Sequence, residues 1–545
     1  MFMCMKKNQT EEHNHRLQLS YSARMTFDET YFKQEEVDVV LIQPSLNQGP
    51  PYQYMDPVQK AYYSVSGAMS EQSFADLPVE ANWGLLSIAK NLQKCGYSVR
   101  YIDLNLFDYV KQLKTGRRIS SDDIADILRA KQAILYGISS MTSSLNNSLR
   151  LAGFIKRVRS QSYVLMGGIH PSLYAKEILR EHPDVDFILK GEGEISLPDL
   201  LDCITADKTP AEWSAISGLY YKQDNEIIAT PARLLDLQNG EDTTLDLTLW
   251  PTDVPFIPRI SLSRGCTGNC TYCSANRFFD NHYRLRTMEN IITDIQNCIK
   301  NGYSKIMFGD LSFGCHREIA EEICWYLIEN NIEITWWCQM RLTDCESNLL
   351  KLMAQAGCKV IALGFESAEP GILDSIEADK RSNRNTYEIC AEMNGLGIAL
   401  QGYFIMGLPN ETRESALRTI DYMESLLSYN MIYTHISVCT PFPGTDLYEN
   451  PSKYNIEIVD HNYDNYLMNA DPNANATPVF NGLHLTRLQV YSLWQLALAT
   501  AEKHLSKRSN NVLLDNIYSN IYCERFENRC NFNADDKPIF ENLMV

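Results

Sequence analysis

The chain has no apolar run long enough to cross a membrane, no surplus of basic residues and only 10 histidines. Lys and Arg number 49 against 68 Asp and Glu, for a net charge of −19. That balance excludes a general nucleic-acid binder, because nothing offsets the repulsion from phosphate. The basic spot from Lys114 to Arg118 reads as solvated surface. The opening Met-Phe-Met-Cys-Met-Lys-Lys lacks the apolar stretch and cleavage site of a signal peptide. No G-x-G-x-x-G joins the first strand to its helix, so a dinucleotide fingerprint is absent. What is present is length and apolar content: 545 residues at 45% hydrophobic predict two large domains and a tail.

The most informative segment is Arg264-Gly-Cys-Thr-Gly-Asn-Cys-Thr-Tyr-Cys273, directly after the strand-like run Pro258-Arg-Ile-Ser-Leu-Ser263. The C-x3-C-x2-C spacing of Cys266, Cys270 and Cys273 lets one tight, Gly-containing loop wrap three thiolates around an iron-sulfur cube. The fourth iron then stays open to another ligand. A structural zinc site would want a fourth Cys or His at short spacing, and the next histidine is His282. Plain buried thiols are the other alternative. Several of the 16 cysteines, including Cys298 and Cys324, lie in apolar periodic segments where Cys is a small hydrophobe. With many unpaired cysteines and a cluster motif, a reducing cytoplasm is the expected location.

Residues 36–205 alternate short β-branched runs with amphipathic helices, which predicts a doubly wound parallel sheet. Ligands of such sheets lie at the C-terminal strand ends. Three ends have small or polar clusters: Ser139-Ser-Met-Thr-Ser-Ser144, Gly167-Gly-Ile-His-Pro-Ser172 and Lys190-Gly-Glu-Gly-Glu194. Each alone is a good turn; together they suggest a broad planar ligand lying across the sheet edge. Residues 206–257 read as a linker with a small hairpin near 218–228. Residues 258–450 repeat the βα rhythm six times, which is enough for a curved, incomplete barrel. Its strand ends collect Asp310, Gln339, Arg341, Glu366, Ser367 and the turn Gly407-Leu-Pro-Asn-Glu-Thr412. Arg341 suits a substrate carboxylate or phosphate and a structural carboxylate equally. Residues 1–35 read as a polar arm and 451–545 as a mainly helical tail, whose Leu485–His504 stretch is an amphipathic helix. Cys523 and Cys530 are too widely spaced to argue a second cluster.

On these residues the chain resembles the radical S-adenosylmethionine superfamily, in its large class with an N-terminal cobalamin-binding domain. That class includes C- and P-methylases, hopanoid methylases and the anaerobic magnesium-protoporphyrin cyclase. The resemblance spans about residues 36–450. It implies that Cys266, Cys270 and Cys273 bind a [4Fe-4S] cluster whose open iron is chelated by S-adenosylmethionine. Around that cofactor it places Tyr272 and the Gly407-Leu-Pro409 turn near the adenine, and Asp310 at the methionine amine. Glu366 and Ser367 fall near the methionine or ribose, with Gln339 at the same mouth. For the first domain it implies cobalamin contacts by Ser45, Ser139, Ser140, Thr142, Gly167, Gly168, His170, Gly191 and Glu192. One departure stands out: where cobalamin carriers of the mutase kind have Asp-x-His-x-x-Gly, this chain reads Gln43-Pro-Ser-Leu-Asn-Gln48, with no imidazole for the lower cobalt face. The implied activity is methyl transfer from methylcobalamin to a small-molecule substrate, after hydrogen abstraction by a 5'-deoxyadenosyl radical. The alternative is a cyclase, oxidase or ring-rearranging enzyme without methyl transfer. An external one-electron reductant such as flavodoxin or ferredoxin is the implied partner.

Overall fold

Short apolar strands alternating with helices build two large sheets among the described residues of this protein. The computed structural model describes residues 31–45, 81–115, 117–208, 210–239, 244, 246–250, 257–376, 385–427, 431–467 and 478–507. Most of the expected N-terminal arm, and both Cys523 and Cys530, lie outside the described residues.

The first sheet contains β1 (Glu35–Gln43), β2 (Val99–Asp103), β3 (Lys131–Ser139), β4 (Tyr163–Gly167), β5 (Phe187–Leu189), β6 (Leu219–Gln223) and β7 (Glu226–Ala229). Their order is β2-β1-β3-β4-β5-β6-β7. The first five are parallel and doubly wound, with the strand order reversing between β1 and β3. That reversal opens a crevice at the C-terminal ends of the two strands. The hairpin near 218–228 belongs to this sheet, with β6 antiparallel to β5, so the sheet is mixed rather than wholly parallel. Val39 to Ile42 of β1 are buried on both faces, because helices cover the sheet from either side. Asn82 starts the helix Trp83–Lys94 by accepting the Leu85 N–H at 3.0 Å, which fixes the helix beside the crevice.

The second sheet has six parallel strands in chain order: β8 (Arg259–Ile260), β11 (Lys305–Phe308), β12 (Thr335–Met340), β13 (Cys358–Glu366), β14 (Ala399–Met406) and β15 (Met431–Val438). A short antiparallel pair, β9 (Ser263–Arg264) and β10 (Arg284–Leu285), stands where the Cys loop begins. Among the described residues β8 and β15 do not pair, so the barrel stays partial. Alternation sends Trp336 into an outer aromatic cluster with Phe308 and Phe313, ring centroids 5.0 and 5.1 Å away. It leaves Trp337, Gln339 and Arg341 for the opposite, inner face.

The helix Arg487–Lys507 completes this unit. It packs on β14, β15 and the helix Arg413–Leu427, and the Trp494 indole N–H donates to the Ile436 carbonyl at 2.7 Å. Val490 closes over Gly407, where a Cβ would come within 2.6 Å of its Cγ1, and Gly407 also has φ +82°. Only glycine meets both demands at that turn.

Candidate functional site

The C-terminal edges of the two sheets meet at one cavity of about 540 Å³. Ser139, Ser140, Gly167, Gly168, Gly191 and Glu192 line it from the first sheet, and Arg259, Ser263, Gly265 and Asp310 from the second. Small residues keep the upper wall open. Gly168 has φ +96°, and a Cβ there would sit 2.6 Å from the Ser140 carbonyl oxygen. At Gly191, φ +82°, a Cβ would meet nothing within 4 Å, so the backbone itself faces the cavity. Asn82 ties the crevice together, its side-chain N–H groups donating to Gln43 Oε1 at 2.5 Å and to Ser139 Oγ at 3.2 Å. These open, backbone-lined strand ends suit a large polar-rimmed ligand such as a corrin.

The Cys loop begins at the cavity wall with Gly265. Cys266 and Cys270 are half-buried, Cys273 is exposed, and none of the three is in a disulfide. A Cβ on Gly268 would lie 3.6 Å from Cys266 Sγ and 3.8 Å from Cys270 Sγ, so its absence leaves the space between two of the sulfurs open. The Gly268 N–H points at Cys266 Sγ at 3.3 Å, a donor that suits thiolate. Neighbouring residues pin the loop: Thr271 N–H donates to the Ile376 carbonyl, and Leu447 N–H to the Thr271 carbonyl. Among the described residues no three Cys, His, Asp or Glu side chains converge at metal distance, so the thiols line the loop without meeting. The donor set and the open centre nevertheless fit a three-cysteine cluster.

Tyr272 lies beside Glu366 and the thiols of Cys270 and Cys273. Burial, and then those neighbouring charges, push its phenol well above the ordinary value, so it stays neutral. Glu366 ends β13 at a register shift and holds φ +58°, a left-handed conformation costly for a residue with a side chain. Burial raises the Asp310 carboxyl, which accepts from Leu262 N–H at 2.9 Å, Ser263 N–H at 2.8 Å and Ser263 Oγ–H at 2.5 Å. It therefore holds the segment leading into the Cys loop.

Other expected residues stand elsewhere. Ser367 bonds to Thr419 Oγ1 at 3.2 Å, turned toward the helix Arg413–Leu427. Gly407 and Pro409 are buried at the β14 turn, and Gln339 is half-buried on the inner face of β12. Arg341 forms a bidentate pair with Asp344 at 2.9 and 3.0 Å and reaches Thr267 of the Cys loop at 3.0 Å, so the structural carboxylate claims it. His170 does not line the cavity; its Nδ1 meets Thr142 Oγ1 at 3.1 Å and its ring packs against Tyr174 and Tyr463. Burial lowers its pKa to about 4. The Ser45 carbonyl accepts from Asn147 at 2.9 Å. Glu192 reaches the cavity with its carboxylate already bonded to Arg264 and Arg284. The sequence places Glu194 and Arg264 at the ends of their clusters but gives neither a role, and nothing in it singles out Arg284 or Asn82; the position of Arg264, adjoining the Gly-Cys start of the motif, is the available signal.

Comparisons with known proteins agree with this layout. Residues 260–423 match the radical SAM superfamily and residues 79–201 match the B12 binding domain family. An uncharacterized methyltransferase of Pyrococcus horikoshii is 28% identical over 387 residues, covering 70% of this chain and 81% of that one. An anaerobic magnesium-protoporphyrin IX monomethyl ester cyclase of Rubrivivax gelatinosus is 25% identical over 342 residues, covering 61% of this chain and 60% of that protein. Among solved structures, the radical S-adenosylmethionine methyltransferase TsrM from Kitasatospora setae, with cobalamin and a [4Fe-4S] cluster bound, superposes with TM-score 0.62 at 15% identity. It covers 86% of this chain and 89% of that one. The cobalamin-dependent S-adenosylmethionine radical enzyme OxsB gives TM-score 0.62 at 15% identity, covering 89% of this chain and 70% of its own.

Proposed function

We propose, from the premise that the chain belongs to the radical S-adenosylmethionine enzymes with a B12-binding domain, that it methylates a small molecule held between its two sheets. The observation that supports this most is the shared cavity onto which the B12-type strand ends and the start of the Cys loop both open. When bound, a [4Fe-4S] cluster supplies the electron that cleaves S-adenosylmethionine, and cobalamin supplies the methyl carrier.

The chain's own residues hold, orient and exclude. Cys266, Cys270 and Cys273 would ligate the cluster. Tyr272 and Glu366, beside those thiols, would meet S-adenosylmethionine, and the Gly407-Leu-Pro409 turn would border its adenine. Asp310 keeps the lead-in segment of the loop in place. Ser139, Ser140, Gly167, Gly168 and Gly191 would contact cobalamin. An external reductant such as flavodoxin or ferredoxin would deliver the electron, and the cytoplasm is the compartment that keeps the thiols reduced.

The test uses substrate, reductant and S-adenosylmethionine labelled as CD3. A methylase gives product heavier by one labelled methyl, with 5'-deoxyadenosine and S-adenosylhomocysteine. 5'-Deoxyadenosine with an unlabelled product would move the assignment to the cyclase or oxidase alternative, the reading that the Rubrivivax relative favours.

His170 is committed to Thr142 and two tyrosines, and Gln43, Pro44 and Ser45 offer no imidazole. No protein imidazole is therefore expected on cobalt, and labelling the histidines of the protein with nitrogen-15 should leave the EPR spectrum of the Co(II) cofactor unchanged. A spectrum that changes with the label would instead make a histidine of the chain a ligand.

A further inference from the structure

Arg264 lies in β9, two residues before Cys266, and its guanidinium reaches into the first domain. One nitrogen bonds to Glu192 Oε1 at 2.7 Å and the other to Glu194 Oε1 at 2.5 Å. Arg284, opposite Arg264 in the β9–β10 pair, adds two bonds to Glu192 at 2.8 and 3.0 Å. Leu235 N–H donates to Glu192 at 2.8 Å, and the Ser87 hydroxyl to Glu194 at 2.9 Å. The carboxylates are only 2% and 4% exposed, so water does not compete for them.

Gly191, Glu192, Gly193, Glu194 and Arg264 all line the cavity, and the two carboxylates of the 190–194 loop hold the barrel's arginine at its wall. We propose that Glu192, Glu194 and Arg264 form a positioning clamp that fixes the start of the cluster loop relative to the corrin-facing edge of the first sheet. A buried ion network is weak evidence for stability but has few acceptable geometries, since each charge must keep its partners. Two domains joined by a modest interface move relative to one another unless something specific holds them. Catalysis between two fixed groups suffers when they shift by an ångström. The clamp spans the boundary at the point where both sites begin.

This inference rests on the two-cofactor reading but not on methyl transfer, and its first measurement needs no cofactor. In the full-length apo protein, Glu194→Gln and the Glu192→Gln/Glu194→Gln double variant should show faster amide hydrogen exchange in residues 262–286 than wild type. Exchange in the helix Arg413–Leu427 should not change. In the reconstituted holoprotein Glu194→Gln should retain iron and cobalamin, while the dipolar coupling between cob(II)alamin and the reduced cluster broadens from one distance to a distribution. Arg264→Lys retains the charge but has one nitrogen in place of the two that separately meet Glu192 and Glu194, and should fall between wild type and the double variant. If the double variant does not fold, Glu194→Gln, which leaves Arg264 paired with Glu192, is read in the same way. Unchanged local exchange together with unchanged coupling in folded Glu194→Gln and Arg264→Lys would overturn the clamp. So would equal acceleration of exchange throughout the chain, which marks general destabilisation.

Discussion

Replacing Cys266, Cys270 or Cys273 with alanine should remove the iron and sulfide from anaerobically reconstituted protein, whereas Cys298→Ala should keep both. The contrast follows from the environments of the thiols. Cys298 is 2% exposed on the helix Met288–Lys300, and burial, followed by the nearby Asp294 charge, pushes its pKa up to about 12. A thiol held protonated is neither a ligand nor a nucleophile at neutral pH. The three loop cysteines are half-buried or exposed, with Gly268 leaving space between two of the sulfurs and its N–H directed at one of them. Losing one of three ligands leaves a cube with two protein bonds, and the cluster is expected to be lost altogether. Cys298→Ala removes one buried sulfur and should lower stability by about 1 kcal/mol without touching the loop. Iron and sulfide analysis with the visible spectrum reads both outcomes. Equal loss in Cys298→Ala and in a loop variant would refute the ligand assignment.

The sequence displayed its local periodicities clearly and its long-range contacts hardly at all. Runs such as Val37-Asp-Val-Val-Leu-Ile42 and Val360-Ile-Ala-Leu363 announce strands because a parallel sheet covered on both faces needs nearly continuous apolar stretches. The cysteine triplet was legible because all its donors lie within one loop. By contrast, the Glu192–Arg264 pairing joins residues 72 apart, and no spacing rule connects them. Arg341 was ambiguous for a related reason. A guanidinium suits either kind of carboxylate, and only the fold brings Asp344 to it in bidentate geometry. His170 looked like a cofactor contact because it follows a strand end. The turn that places Gly168 against Ser140 instead carries the imidazole away from the cavity and into an aromatic group. The tail helix was visible from its periodicity, but its closure over Gly407 depends on Val490, 83 positions away by number, and could not be read.

Glu411 should make the protein less stable as pH rises from about 5 to about 8, and Glu411→Gln should abolish that part of the pH dependence. The residue is 2% exposed beneath the β14 turn, where its Oε2 accepts the Gly407 N–H at 2.6 Å while Oε1 is buried without a partner. Burial raises its pKa to about 8 from the model-compound 4.5, only partly opposed by the Gly407 and Leu408 N–H groups. Below the unfolded value the carboxyl is protonated in both states and contributes no pH dependence. Between the two values the unfolded chain releases the proton while the folded chain keeps it, so stability falls with increasing pH. Above the folded value the difference levels off at on the order of 5 kcal/mol. Glutamine retains an acceptor for the Gly407 turn and cannot ionise. The melting temperature of Glu411→Gln minus that of wild type should therefore be small at pH 5 and rise steadily to pH 8.5, other titrating groups cancelling in the subtraction. A difference that stays flat over this range would show that Glu411 is ionised in the folded protein. The turn beside the proposed adenine site would then hold a buried charge rather than the neutral carboxyl inferred from its surroundings.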